Sequence, residues 1–269
     1  MLKDSGRETL TDKSIISDIT NESFINTLFL RLVAKDKVFR KVDFRYCIFD
    51  QSYLRKCKFI ECDFTGTKFQ NSNLLGSIFD GCKFEYSSFD KTLIDDDILK
   101  KSCPSAENLK IKFARTLRMN FQQLGDAKSA NIAISIELQA TEEHLYKSWH
   151  SNESYYRLKY KGLDRIKAFI EWLNFKLLDY TWGNGESTWK LVRSVILILF
   201  FITIWDTIER GQCNSLSSYF DSLIISPQVL FGIIEPTYYS KIYLTLIYIL
   251  RLVLFGFFMS IIIKRFNRR

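Results

Sequence analysis

Histidine is almost absent: His144 and His150 are the only two in 269 residues. They are too few and too isolated to build a metal centre or a catalytic site. There is no CxxC pair, no Cys/His cluster, no nucleophile–base pair and no phosphate-cradling loop. No catalytic residue, cofactor or metal is therefore expected, and the chain does not read as an enzyme. An acidic bias is also missing, since 38 Lys+Arg against 30 Asp+Glu give a net charge of +8. Part of that excess lies beside long apolar segments, and residues 42–96 hold no Lys/Arg cluster. A nucleic-acid partner is therefore not expected. Residues 1–22 are polar and carry both charge signs, so a secretory signal is not expected there.

A five-residue apolar period is present, and it fits neither a helix nor a strand. Every fifth position from Phe39 reads Phe44, Phe49, Leu54, Phe59, Phe64, Phe69, Leu74, Phe79, Phe84, Phe89 and Ile94. Such a period suits a square coil of four short sides. One column would hold Phe39, Phe59 and Phe79, and the next Phe44, Phe64 and Phe84. A third would hold Phe49, Phe69 and Phe89, and the fourth the aliphatic Leu54, Leu74 and Ile94. Two residues before each comes a small side chain, as at Val42, Cys47, Ser52, Cys57, Cys62, Thr67, Ser72, Ser77, Cys82, Ser87 and Thr92. Large and small inward residues alternate, which is how a narrow solenoid fills its interior. The cysteines in this column read as small packing groups, reduced in a cytosolic setting. Ile19, Phe24, Phe29 and Ala34 keep the frame, so about four coils over 17–103 are expected.

Val42-Asp43-Phe44-Arg45, Cys62-Asp63-Phe64-Thr65 and Ser72-Asn73-Leu74-Leu75 resemble the unit of the pentapeptide-repeat family. The resemblance is strongest over 42–96 and implies a right-handed quadrilateral β-helix. Some members of that family mimic DNA, but this repeat is short, not acidic and joined to apolar segments.

After Pro104 and Ser105 the period becomes helical. Leu109, Phe113, Leu117 and Leu124 mark one stretch; Ala130, Ala133, Ile134, Leu138, Leu145 and Trp149 mark a second. Gly125-Asp126 reads as a stop followed by an N-cap. This helical connector, 104–187, would cap the open end of the coil or offer a self-association face. Residues 163–180 form a further amphipathic stretch with Arg165, Lys167 and Lys176 on its polar side. It would lie on a bilayer surface or form a third connector helix.

The last segment, 188–269, holds two apolar runs, 191–208 and 242–263, each long enough to cross a bilayer. Trp189, Trp205, Tyr238, Tyr239 and Tyr243 take interfacial places. Arg165, Lys167, Lys176 and Lys190 precede the first run; Lys264, Arg265, Arg268 and Arg269 follow the second. Only Arg210 and Lys241 lie in the segment between them. Both termini are thus expected in the cytoplasm of a multi-pass protein of the bacterial inner membrane. Residues 219–236 are too apolar for an exposed loop and too short to span, and read as a re-entrant half-helix or a short helix on the outer surface. A re-entrant segment needs a protein lining, which implies a homo-oligomer.

The order helix, re-entrant segment, helix resembles the two-transmembrane potassium-channel-like pore domain, which some bacterial proteins join to pentapeptide repeats. Trp182-Gly183-Asn184-Gly185-Glu186 looks like the entry motif. Phe220-Asp221-Ser222-Leu223 with Ser226 looks like the pore helix, and Gly232 with Glu235-Pro236 looks like a degenerate filter and exit. Val229-Leu230-Phe231-Gly232-Ile233 stands where a potassium filter has Thr-x-Gly-Tyr-Gly. The resemblance therefore implies a pore without potassium selectivity. Arg251 falls near mid-bilayer by the helix rise. It would line a pore as a cationic ring, or pair with Asp206, Glu235 or re-entrant carbonyls. Gly256, further along the same helix, reads as a packing or hinge glycine. Two functions follow: an oligomeric membrane pore regulated by the cytoplasmic repeat through a protein or ligand trigger, or a membrane-anchored scaffold that does not conduct.

Overall fold

A computed structural model of the chain describes residues 6–211 and 215–267. Arg268 and Arg269, two of the charges used for orientation, lie outside the described residues. The described chain separates into two units, one up to Phe169 and one from Ile170 to Asn267.

Nine short strands build the first unit. They are β1 (Glu8–Thr11), β2 (Ile19–Thr20), β3 (Thr27–Leu30), β4 (Val38–Arg40), β5 (Ile48–Asp50), β6 (Lys58–Ile60), β7 (Lys68–Gln70), β8 (Ile78–Asp80) and β9 (Ser88–Asp90). The odd strands form one parallel sheet in chain order and the even strands another. Isolated bridges such as Asp43↔Asp63 and Tyr53↔Asn73 stitch the remaining sides. The result is a parallel β-solenoid of about four turns.

The five-residue frame maps onto stacked rings. Phe39, Phe59 and Phe79 stack at 4.8 and 5.1 Å between centroids, and Phe44, Phe64 and Phe84 at 5.1 and 5.0 Å. Phe49, Phe69 and Phe89 stack at 5.1 Å. Neighbouring columns meet edge to face, as Phe59 meets Phe64 at 5.3 Å and 76°. Both geometries suit the ring quadrupole, and each pair adds about 1 kcal/mol beyond burial. Leu54 and Leu74 fill the fourth column, fully buried.

The ladder begins at Glu8, ahead of the expected residue 17, because the first coil is one residue short. Leu10 pairs with Phe29, whereas Ile19 pairs with Phe39. The shortening falls between Ile15 and Ile19, both packed on the core, and it breaks the five-residue frame there. At that point the Asp18 carboxylate accepts the Val38 N–H at 2.9 Å.

Two features of the coil were not legible as packing alone. First, the small inward side chains are donors. Cys47, Ser52, Cys57, Cys62, Thr67, Ser72, Ser77 and Cys82 each point a thiol or hydroxyl at an inward carbonyl of the coil above. Thr67 Oγ1 donates to the Phe44 carbonyl at 2.6 Å. Second, corner residues recur in the left-handed region. Tyr46, Gln51, Lys56, Glu61, Asn71, Tyr86 and Lys91 have φ of 45–60°, and only Gly66, Gly76 and Gly81 relieve the strain. The ladder compensates, since corner N–H groups such as that of Tyr46 bond the next coil, here Thr65 O at 2.9 Å.

A short α1 (Ile98–Lys101) leads to α2 (Glu107–Gln123) and α3 (Ala127–His150). Gly125 takes φ +74° and the Asp126 carboxylate accepts the Ser129 N–H, the expected stop and cap. Of the two roles open to this hairpin, α2 takes the capping one. Phe113 packs 5.5 Å from Phe84, continuing the aromatic core. Asn120, fully buried, accepts the Thr92 N–H and donates to the Thr92 carbonyl, each at 2.7 Å. Thr116 Oγ1 accepts the Phe89 N–H at 3.0 Å. Side chains of α2 thus replace the strand that would follow β9.

Residues 104–187 are consequently not a separate connector. Helices α2 and α3 share the solenoid core. A short α4 (Ser154–Lys159) packs on α3 through His144, whose Nδ1 lies 3.1 Å from the Tyr156 hydroxyl. Burial and the nearby Lys159 hold His144 below its ordinary pKa. The unit boundary falls inside α5 (Leu163–Trp182).

Candidate functional site

The second unit holds α6 (Thr188–Glu209), α7 (Leu216–Phe231) and α8 (Lys241–Asn267). Two of its segments, Thr188–Glu209 and Lys241–Lys264, are long and apolar enough to cross a membrane. They contain the expected runs 191–208 and 242–263. Only 33% and 11% of their apolar windows are buried, unlike the core helices of a soluble fold.

Between them α7 is continuous for 16 residues, about 24 Å by the helical rise. The helix starts earlier and ends earlier than the apolar segment 219–236, with Gly232 and Glu235-Pro236 in the return after it. Pro227 sits inside α7 and cannot donate to the Leu223 carbonyl. The Ser226 hydroxyl does so instead, at 3.1 Å. Ser226 is therefore a repair of the helix, fully buried. Ser218, Ser222 and Ser226 recur every four residues as the buried face of α7. Small side chains allow the close α6–α7 approach. Their spacing of four was the available signal, and it escaped the sequence reading.

Asp206 of α6 is the hub. It is fully buried. It accepts hydrogen bonds from Ser222 Oγ (2.6 Å), Tyr238 OH (2.6 Å) and Tyr239 OH (2.8 Å). Arg210 Nε lies 2.9 Å from its carboxylate and also donates to the Tyr238 hydroxyl. Thr207 Oγ1 donates to Ser222 Oγ at 3.2 Å. A buried charge persists only when paired and fully hydrogen-bonded, and this carboxylate meets that condition within three segments of chain. Burial and the Asp206 carboxylate push the Tyr239 hydroxyl pKa up, so it remains a donor. The pairing of Asp206 with Arg251, one of the alternatives open to that arginine, does not occur, and Arg210, one turn along the same helix as Asp206, holds the carboxylate.

Arg251 lies elsewhere. Among the described residues it makes no hydrogen bond or ion pair. Its guanidinium stands 4.7 Å over the Tyr248 ring, a cation–π placement. It also lies against Gly232, which ends α7 with φ +73°. The Ile233 N–H closes back on the Gln228 carbonyl at 2.8 Å, a Schellman-type ending. A Cβ at Gly232 would overlap the guanidinium. The left-handed turn is what favours glycine there, and a side chain would displace the Arg251 guanidinium. The cation sits where the α7 dipole is negative, which offsets part of its burial cost. Arg251 also borders an apolar groove of about 620 Å³, with Val192, Val195 and Phe255 among its walls. Glu235 is exposed and makes no hydrogen bond or ion pair among the described residues. The close-packing role expected of Gly256 is not seen, since a Cβ there would meet nothing within 4 Å.

The turn from α5 to α6 accounts for the Trp182–Glu186 motif. Gly183, Asn184 and Gly185 take successive positive φ values. Trp182 stacks on Phe257 at 4.3 Å, and Lys264 lies 3.5 Å from Glu186. The end of α8 is thereby held beside the start of α6.

Residues 44–88 match the family model for pentapeptide repeats, nine copies. The solenoid is a pentapeptide-repeat domain. No curated protein matches the chain. Among solved structures, the plasmid-mediated fluoroquinolone resistance protein QnrB1 is 15% identical, over 32% of this chain and 59% of that one, with a TM-score of 0.22. The pentapeptide repeat protein Rfr23 from the cyanobacterium Cyanothece 51142 is 12% identical, over 32% of this chain and 88% of that one, with a TM-score of 0.11. The chain thus spans less than two thirds of that QnrB1 chain. These likenesses reach only about a third of the molecule and carry nothing about the helices that follow the pentapeptide-repeat domain.

Proposed function

We propose that the second unit is a two-pass membrane domain that assembles into an ion-conducting pore, with the pentapeptide-repeat domain as its cytoplasmic regulator. The observation that carries this reading is α7. It is too short to span and lies between two helices that are long enough. Buried Ser222–Asp206 contacts hold it to α6, and it ends at Gly232 against the Arg251 guanidinium of α8. That is the arrangement expected of a re-entrant half-helix: irregular backbone at membrane depth is tolerated only where protein or a water-filled cavity lines it. The Lys264–Glu186 contact supports a hairpin whose two ends share one side, the cytoplasmic side by the Lys/Arg distribution.

Arg251 sets the expected ion. A cation that no carboxylate neutralises at this depth disfavours cation passage and favours anions. Purified full-length chain in a planar bilayer under a KCl gradient should give discrete currents with an anion-side reversal potential. Arg251→Gln should move that potential towards the cation side while the protein stays folded and inserted. Inserted oligomer that passes no current, with and without the substitution, would leave the chain as a membrane-anchored scaffold.

A further inference from the structure

Three helices of the second unit enclose the groove of about 620 Å³ that Arg251 borders. Val192 and Val195 line it from α6, Phe231 from α7, and Leu252 and Phe255 from α8. Arg251 and Thr188 are the two polar side chains in the lining. Small-molecule sites share this character: an apolar cleft of about 300–1,000 Å³ with a few polar groups that orient the ligand.

The donors of Arg251 are available. Among the described residues its guanidinium makes no hydrogen bond and no ion pair, and its nitrogens keep accessible surface. The Tyr248 ring, 4.7 Å away, makes a cation–π contact that uses no N–H. Other carboxylates of the unit are held elsewhere: Asp179 by Lys190, Glu186 by Lys264 and Asp206 by Arg210. An unpaired guanidinium at the edge of an apolar groove calls for a ligand with two parts. One is an oxyanion that suits the two-pronged fork of arginine, and the other is a hydrocarbon body that covers the walls. Depth narrows the oxyanion further. A phosphodiester keeps its charge and stays at the headgroup level. A carboxylic acid can enter in its neutral form and release its proton to solvent, because a cation beside it favours the ionised state.

We propose that this groove binds a hydrophobic monocarboxylate of the fatty-acid class, with its carboxylate on Arg251 and its chain against Val195, Leu252 and Phe255. The inference rests on the pore reading of the second unit and deepens it by naming what regulates Arg251. Without the ligand the guanidinium charge acts on passing anions; with it that charge is neutralised.

The test uses the purified full chain in detergent, scoring bound oleate by native mass spectrometry. Oleyl alcohol has the chain without the charge, and acetate the charge without the chain. Oleate should be retained at least about tenfold better than either, the difference expected for one charge-assisted contact. Arg251→Gln should bring oleate down to the level of the alcohol. Leu252→Trp, which fills the groove from its exposed side, should weaken oleate with the charge intact, and covers the case where the glutamine variant does not fold. Equal retention of oleate and oleyl alcohol, or oleate binding unchanged in both variants, would overturn the site. So would an oligomer that retains no oleate but changes its mass on Leu252→Trp, which would assign the groove to a second copy of the chain. Planar-bilayer currents separate the two proposals. Oleate should move the reversal potential away from the anion side. A chain that binds oleate but passes no current overturns the pore reading and keeps the site, whereas a conducting chain that retains no oleate overturns the site alone.

Discussion

Thr67 shows how much one small inward residue does. It fills a slot beside Phe64 and Phe69, and its hydroxyl satisfies the Phe44 carbonyl at 2.6 Å. Thr67→Val keeps the shape and removes the donor. It should lower unfolding free energy by about 1–2 kcal/mol, read by urea denaturation followed by circular dichroism. An unchanged midpoint would mean that shape alone is what the column requires. Cys47 occupies an equivalent slot, its thiol donating to the Phe24 carbonyl. Burial pushes its pKa from 9.0 up to about 11. Because the folded value is raised, the proton it holds stabilises the fold fully below pH 9. That contribution, on the order of 2 kcal/mol, is lost as pH rises from about 9 to about 11. Cys47→Ser should therefore flatten the fall in stability across that window, measured by denaturant midpoints at successive pH values. The sequence showed that these positions must be small. That they must also donate was hidden, because the carbonyls they meet belong to another coil.

At the scale of the element, α2 carries the instructive case. Its apolar period announced a helix, but nothing in the period announced that Asn120 would act as a piece of β-strand. Both Thr92 backbone groups depend on that one amide. Asn120→Ala leaves two buried backbone groups without partners and should lower stability by about 2–4 kcal/mol. Hydrogen exchange should then quicken at the Thr92 amide before it does so in the upper coils. If Thr92 stayed protected, the last coil would be holding itself closed without the helix. Helix α7 shows the reverse situation. Its interior contains a proline, which ordinarily breaks a helix, yet the helix is continuous and Ser226 bonds the carbonyl that Pro227 leaves.

For the whole molecule, the boundary that matters lies within α5 and not at the end of the repeats. The solenoid and the α2–α3 hairpin share one apolar core. A chain ending at residue 153 should therefore resist limited proteolysis over its repeats, whereas one ending at residue 103 should be cut from its open end. Equal resistance would mean that the last coil tolerates an open face. The second unit is organised around charge. Asp206 is neutralised by Arg210 and three hydroxyl donors, while among the described residues Arg251 meets the end of α7 and the Tyr248 ring but no carboxylate. That asymmetry is the basis for expecting anion preference.

The sequence by itself determined the coil, because a five-residue period in eleven unbroken units admits one way of stacking rings. It also determined the two long apolar helices, since length and hydropathy are properties of the chain alone. The candidate site was half legible. Asp206, Ser226, Gly232 and Arg251 stood out as polar or small residues in apolar surroundings. Their partners did not, because hydrogen bonds among Asp206, Ser222, Tyr238 and Tyr239 join positions far apart in the chain. Only the tertiary structure decided that Asp206 gathers Ser222, Tyr238 and Tyr239, that Arg251 lies against Gly232, and that Asn120 ends the solenoid. Each of those choices turns on distances of a few ångströms between segments that no periodicity relates.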